Sequence, residues 1–238
     1  MADASTTIFE ELQHAIIHLE IKPGEKIGES EVCERFSVSR PPVRAAFNRL
    51  QDVGLLDVVP YRGARATLLD LDAICQTVFS RITIETRVIL DFMASRPTLL
   101  EIEDLDHNIR KQQITISEED VDSREFYNLD SELHEMWFRR MNCLYLWNRI
   151  QSDTDYRRFR MLDFVGTLKY SEIVQSHIEI VDAIRRNDEK GVAGAVARHL
   201  YAGLKRMHTL SDEDFQQYFR DSGDLFYWKG YFESISNL

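Results

Sequence analysis

Apolar positions in the first seventy residues recur at helical spacing, in short blocks broken by turn residues. Ile8, Leu12, Ala15, Ile16 and Leu19 fall on one helical face, and Pro23-Gly24 mark its end. Val32 and Phe36 anchor a second, shorter helix within 28–38. A third opens at Ser39-Arg40-Pro41-Pro42-Val43-Arg44, where Ser39 suits an N-cap and the prolines suit a first turn. Its buried stripe is Val43, Ala46, Phe47 and Leu50, and Gly54 ends it. Two β-prone runs, 55–60 and 64–69, flank Tyr61-Arg62-Gly63 and predict a hairpin. The order is helix, helix, short break, helix, two-stranded wing.

From residue 70 onward the pattern is almost wholly helical. Helices are expected at about 71–95, 98–112, 119–140, 143–166, 171–186 and 189–208. Pro97 begins the second, and no proline follows it. Asn142 and Asn187-Asp188-Glu189 mark turns. Six such helices can form a bundle that encloses a cavity or offers a broad dimer surface. The aromatic-rich tail after residue 210 is too apolar for a disordered segment. One or two further helices are expected there, packed on the bundle or on a partner chain. The fold class is mostly α, with domains at 1–69 and 70–238.

Composition narrows the setting. Cys33, Cys75 and Cys143 are scattered, odd in number and without a CxxC pair, so disulfides and a zinc knuckle are not expected. That suits a reducing, cytoplasmic location. The N-terminal residues lack a basic-then-apolar leader, and charges interrupt every apolar stretch short of a membrane span. The net charge of −11 argues against indiscriminate coating of nucleic acid. Residues 39–65 nevertheless carry a net +3, and their basic groups are all arginines: Arg40, Arg44, Arg49, Arg62 and Arg65.

With Val43, Phe47 and Leu50 buried, Arg40 and Arg44 share the opposing face at i and i+4. Both sit near the helix N-terminus, the end a recognition helix puts into a major groove. Their rigid donor forks match a guanine edge or a phosphate. Arg62 and Arg65 flank the hairpin tip, from which a wing reaches backbone or minor groove. Ordinary solvated arginines on a helical domain would give the same spacing.

The histidines supply a second constellation. Asp130 and His134 are i and i+4 on one helix. His177 and His199 lie eleven residues either side of Asp188, the centre of a turn, so an antiparallel hairpin sets them level. One carboxylate and three imidazoles suit a divalent ion, whether zinc, nickel, manganese, iron or cobalt. Satisfied core or surface histidines are the alternative. Glu132 and Glu135 read as solvated, and Leu133, Met136, Trp137 and Leu144 read as core.

The first block resembles the winged helix-turn-helix of the GntR family of bacterial transcriptional regulators. The match is carried by residues 21–27 (IKPGEKI), by Ser37-Val38-Ser39-Arg40-Pro41-Pro42-Val43-Arg44-Ala45-Ala46, and by Leu50, Gly54-Leu55 and Arg62-Gly63. The second block is similar to the ligand-sensing FCD domain of that family's FadR-like branch, through Arg81 with Glu85, Asp130-x-x-x-His134, Asn142, His177 with Asp182-Ala183-Ile184, and His199. The resemblance implies a homodimer on palindromic double-stranded operator DNA. It implies DNA contacts from Ser39, Arg40, Arg44, Arg49, Arg62 and Gly63. It also implies a divalent metal held by Asp130, His134, His177 and His199, and a small effector, commonly a carboxylate, that alters DNA affinity. Arg81 would meet that carboxylate, or else pair with a neighbouring acid.

Departures accompany the match. Ser30 stands where members often carry arginine, so one expected DNA contact is absent, and Pro41 stands where threonine is usual, which removes a hydroxyl able to reach phosphate. Cys33 and Phe36 replace commoner aliphatics. A competing reading is a metal-dependent hydrolase or other enzyme on the helical block; no obvious general base stands beside the four residues, and Glu132, Glu135 and Glu179 are the ones left open.

Overall fold

The structure, a computed structural model, describes residues 3–59, 63–166, 170–209, 217–220 and 225–236. The chain divides into two compact units. One comprises Met1–Ile74, Thr154–Leu162 and Leu210–Gly223; the other comprises Cys75–Asp153, Asp163–Thr209 and Asp224–Leu238. No described helix is long and apolar enough to cross a membrane.

The first unit opens with α1 (Ala4–Ile17), β1 (Lys26–Ile27), α2 (Glu29–Phe36), α3 (Arg40–Asp52), β2 (Leu56–Val59) and β3 (Gly63–Ala66). α1 and α2 both pack on α3. Ile8, Leu12, Ile16, Val32, Val43, Phe47, Leu50 and Leu55 form the core. α1 stops earlier than Pro23: Leu19 turns left-handed (φ 60°) and the Ile21 N–H closes onto Ala15 O at 3.1 Å. Leu19 therefore leaves the helical stripe and is only half-buried. α3 ends where expected. Gly54 is left-handed at φ 74°, and the Leu55 N–H reaches Leu50 O at 2.9 Å. Ser39 holds the N-cap position, though its hydroxyl makes no capping bond.

The wing has a third strand. β1 pairs antiparallel with β3, giving the order β1-β3-β2, with Ile27 opposite Ala64 and Val58 on the other side of Ala64. The end of β3 is pinned from α8 (Thr154–Gly166). Buried Arg158 donates to Thr67 O at 2.7 Å and to Thr67 Oγ1 at 2.9 Å, and pairs with Asp155. The Thr67 hydroxyl in turn donates to Gly54 O at 2.8 Å.

The remaining helices are α4 (Leu71–Ala94), α5 (Leu99–Thr115), α6 (Ser123–Arg140), α7 (Leu144–Gln151), α9 (Tyr170–Arg185), α10 (Glu189–Thr209) and α11 (Leu225–Ser236). The unit boundary falls within α4 and within α8. In the helical unit α5 packs on α6 and α9, and α10 packs on α9 and α11. Trp137, Phe126, Phe138, Leu133, Ile180, Val192 and Leu204 are fully buried there. Asn142 (φ 55°) and Asn187 (φ 52°) make the expected turns in the left-handed region that asparagine tolerates.

Three further expectations need correction. The stretch 143–166 is two helices. Asp153 leaves the helical path and its carboxylate accepts from the Thr77 hydroxyl at 2.6 Å, so α8 starts afresh at Thr154. α6 begins at Ser123, because the Asp122 carboxylate accepts from the Arg124 and Glu125 N–H groups at 2.8 and 3.3 Å. Leu144 is exposed and not core, since the chain turns at Asn142 before α7 begins. The tail does form a helix in the described part. Its Phe232 is fully buried and stacks on Tyr201, with ring centroids 4.9 Å apart.

Candidate metal centre and nucleic-acid interface

On α3, Arg40 and Arg44 are exposed on the side opposite Val43 and Phe47. Both face Glu29, the first residue of α2. The Arg44 Nε donates to its two carboxylate oxygens at 3.0 and 3.2 Å, and Arg40 Nε lies 3.7 Å from Oε1. One acid thus holds both guanidinium groups of the helix face. Arg49 turns elsewhere. It donates to Thr6 Oγ1 at 3.1 Å and lies 4.1 Å over the Phe9 ring, tying α3 to α1. Arg65 donates to Gly24 O at 3.0 Å. Ser39 is exposed, as is Gly63, which sits at φ 87° at the start of β3. Arg62 lies outside the described residues.

In the helical unit Asp130 and His134 of α6, His177 of α9 and His199 of α10 converge. One ligand atom from each lies within 4.8 Å of all the others, and all four residues are buried. His134 Nε2 is 3.0 Å from His199 Nε2, and His177 Nε2 is 3.5 Å from Asp130 Oδ1. Two ligand atoms about 2.1 Å from a shared ion stand roughly 3.0 Å apart at a right angle and roughly 3.4 Å apart at the tetrahedral angle. These two spacings are those of ligand pairs on a shared ion.

The outer nitrogens decide the chemistry. His134 Nδ1 meets Glu85 Oε2 at 2.5 Å, His177 Nδ1 meets Gln112 Oε1 at 2.8 Å, and His199 Nδ1 meets Ser176 Oγ at 2.7 Å. The Ser176 hydroxyl spends its proton on Ile173 O at 2.6 Å, so towards His199 it accepts. An ionised carboxylate and an amide oxygen also accept only. Each imidazole therefore keeps a proton on Nδ1 and turns its Nε2 towards the cluster. Two bare nitrogens 3.0 Å apart repel unless a cation or a proton lies between them. The donor set, three imidazoles and a carboxylate, is that of a divalent transition-metal site.

Glu85 is itself fully buried. Burial would raise its carboxyl, but the Arg81 guanidinium and His134 outweigh that and hold it below the usual carboxylate range. Arg81 Nε donates to Glu85 Oε1 at 2.6 Å, so the arginine assigned to an effector pairs with a neighbouring acid in this structure. Its guanidinium also lies 5.8 Å over Trp147, whose ring is parallel to His134 at 6.3 Å. Glu132, Glu135 and Glu179 do not join the cluster. They pair with Lys111, Arg139 and Arg198.

Sequence reasoning missed Asn108, Gln112 and Ser176. A signal existed for two of them. Leu105, Asn108, Ile109 and Gln112 occupy i, i+3, i+4 and i+7 of α5, and all four are buried, so two amides stand at core positions of an apolar stripe.

Comparison with known proteins accords with this arrangement. Residues 4–65 match the model described as bacterial regulatory proteins, gntR family, and residues 76–202 match the FCD domain. The HTH-type transcriptional repressor RspR of Escherichia coli K12 is 30% identical over 208 residues, which span 87% of this chain and 90% of that one. Among solved structures, E. coli McbR/YncC superposes with a TM-score of 0.64 at 17% identity, covering 88% of this chain and 99% of that one. A putative GntR regulator from Rhodococcus sp. RHA1 also gives 0.64, at 18% identity, covering 87% and 98%. The families matched are those of transcriptional regulators and not of enzymes. The chain belongs to the GntR family of DNA-binding transcriptional regulators, in the branch that carries an FCD domain.

Proposed function

We propose that this regulator binds a palindromic operator as a cytoplasmic homodimer, and that a small carboxylate effector at a divalent metal in the helical domain sets its operator affinity. Residues 1–69 serve as the DNA-binding domain and 70–238 as the sensing and dimerisation domain. The observation that carries this reading is the buried cluster of Asp130, His134, His177 and His199 in a chain with a winged helix-turn-helix. Those four residues hold zinc, nickel, manganese or a similar ion. Three neutral imidazoles and one carboxylate leave coordination positions for water or a chelating carboxylate. The metal thereby supplies a binding point for the effector without catalysis. Arg81 is buried and linked to His134 through Glu85, and to meet the effector carboxylate it exchanges part of that pairing.

On the DNA side, Arg40 and Arg44 read base edges or phosphates, aided by Ser39, Arg49, Arg62 and Gly63.

Selection of bound sequences from random duplexes tests the reading. The expected consensus is an inverted repeat with half-site centres about 10 base pairs apart, or a multiple of that. Arg44→Ala or Arg40→Ala should cost about 1–3 kcal/mol of discrimination at a base-reading contact. Repeating the binding with a panel of di- and tricarboxylates should shift the affinity for one of them. No enriched sequence, or both alanine variants binding at wild-type strength, would overturn the DNA assignment.

A further inference from the structure

Behind His177 runs a chain of hydrogen bonds that the metal ligands alone do not require. His177 Nδ1 meets Gln112 Oε1 at 2.8 Å, Gln112 Nε2 donates to Asn108 Oδ1 at 2.8 Å, and Asn108 Nδ2 donates to Glu132 Oε2 at 2.9 Å. Asn108 and Gln112 have no exposed surface, whereas the Glu132 side chain is 42% exposed and stands 3.6 Å from Lys111 Nζ. Asn108 and Gln112 are i and i+4 on α5, so one helix face carries both amides from the surface acid to the buried imidazole.

The direction of this chain is set from its outer end. An ionised carboxylate only accepts hydrogen bonds. Glu132 therefore demands the NH2 of Asn108, which turns the Asn108 oxygen inward. That oxygen demands the NH2 of Gln112, which turns the Gln112 oxygen to His177. An oxygen facing Nδ1 demands a proton there. Buried amides are costly inside a helical bundle unless every group is paired, and this chain pairs them in one orientation only.

We propose that Glu132, Asn108 and Gln112 are positioning residues that lock His177 in the Nδ1–H tautomer, so that its Nε2 lone pair is presented to the cation. This rests on the metal reading above for its purpose, but the tautomer itself is a property of the metal-free chain. The relay explains why a glutamine, rather than an aliphatic residue, occupies the α5 stripe beside the cluster. It also makes a half-exposed surface acid a determinant of a buried metal site.

The test uses the full chain, metal-free, with zinc alone as the probe. Nitrogen-15 spectra of labelled histidines should show His177 protonated on Nδ1 in the wild type. Glu132→Gln leaves the surface charge lighter and removes the accept-only end. Asn108 and Gln112 are then free to flip, and His177 should shift towards the Nε2–H form. Zinc affinity should fall about 10-fold or more in Glu132→Gln and about 10–100-fold in Gln112→Met. Thermal unfolding of metal-free Glu132→Gln should stay near wild type, which separates positioning from folding. Wild-type zinc affinity in both variants, or an Nε2–H tautomer of His177 in the wild type, would overturn the relay. If the wild type binds zinc no better than His177→Ala, the metal reading fails instead, and the tautomer measurement still decides the relay.

Discussion

Glu29 is the residue that conditions Arg40 and Arg44, the two arginines proposed to meet DNA. Its carboxylate touches both, and binding to phosphates or bases must displace it. The pairs are more than half exposed on the arginine side, so they add at most about 1 kcal/mol to stability. Glu29→Gln should leave the melting midpoint nearly unchanged. It should raise affinity for random duplexes a few-fold at low salt, because one like charge leaves the DNA face. Anisotropy titrations at two salt concentrations check this, and unchanged affinity at both would mean that Glu29 lies off the interface. The i,i+4 pairing of Arg40 and Arg44 was legible in the sequence, since one helix carries both. Glu29 was not, because its approach depends on how α2 packs on α3. Arg49 shows the same limit: spacing alone could not reveal that Phe9 of α1 lies beneath it. Likewise the four candidate ligands were visible as a pattern and Gln112 left a trace as an amide in the α5 stripe, while Ser176 became visible only once α9 and α10 were in place.

At the scale of elements, long amphipathic helices and their asparagine turns could be read directly. The sequence signal failed where local side-chain chemistry outweighs periodicity. Ser152-Asp153-Thr154 splits an apolar pattern that otherwise runs on, and β1 is two residues long, too short for any alternation to show. The start of α5 carries a testable cap. The Thr98 hydroxyl accepts from the Glu101 N–H at 3.3 Å while the Glu101 carboxylate accepts from the Thr98 N–H at 2.7 Å. Thr98→Ala should cost about 1 kcal/mol in chemical denaturation. Glu101 is held below the usual carboxylate range by that backbone bond, against the opposing effect of desolvation and with help from Arg140. A lowered folded-state value means that its contribution is present above the ordinary carboxylate pKa and fades as pH falls through the lowered one. The stability gap between wild type and Glu101→Gln should therefore be open at pH 7 and close in strong acid. A gap that persists at low pH would contradict the ionised cap.

For the whole molecule, a net charge of −11 and an arginine-only patch within 39–65 fit a protein that meets DNA through a small face and repels it elsewhere. The helical domain adds a buried polar cluster that no packing need explains. The proposed coupling between that cluster and DNA would be a population shift, and it requires the effector to prefer one arrangement of the chain. An ion that ties together α6, α9 and α10 should also stabilise the fold, because it binds the folded state alone. The most direct measurement is metal content by mass spectrometry of protein purified without chelator or nickel resin, wild type beside His177→Ala. About one divalent ion per chain is predicted for the wild type, with well under one in His177→Ala and a lower melting midpoint. Well under one equivalent in the wild type, with no rise after adding zinc, manganese or nickel, would contradict a metal centre at Asp130, His134, His177 and His199.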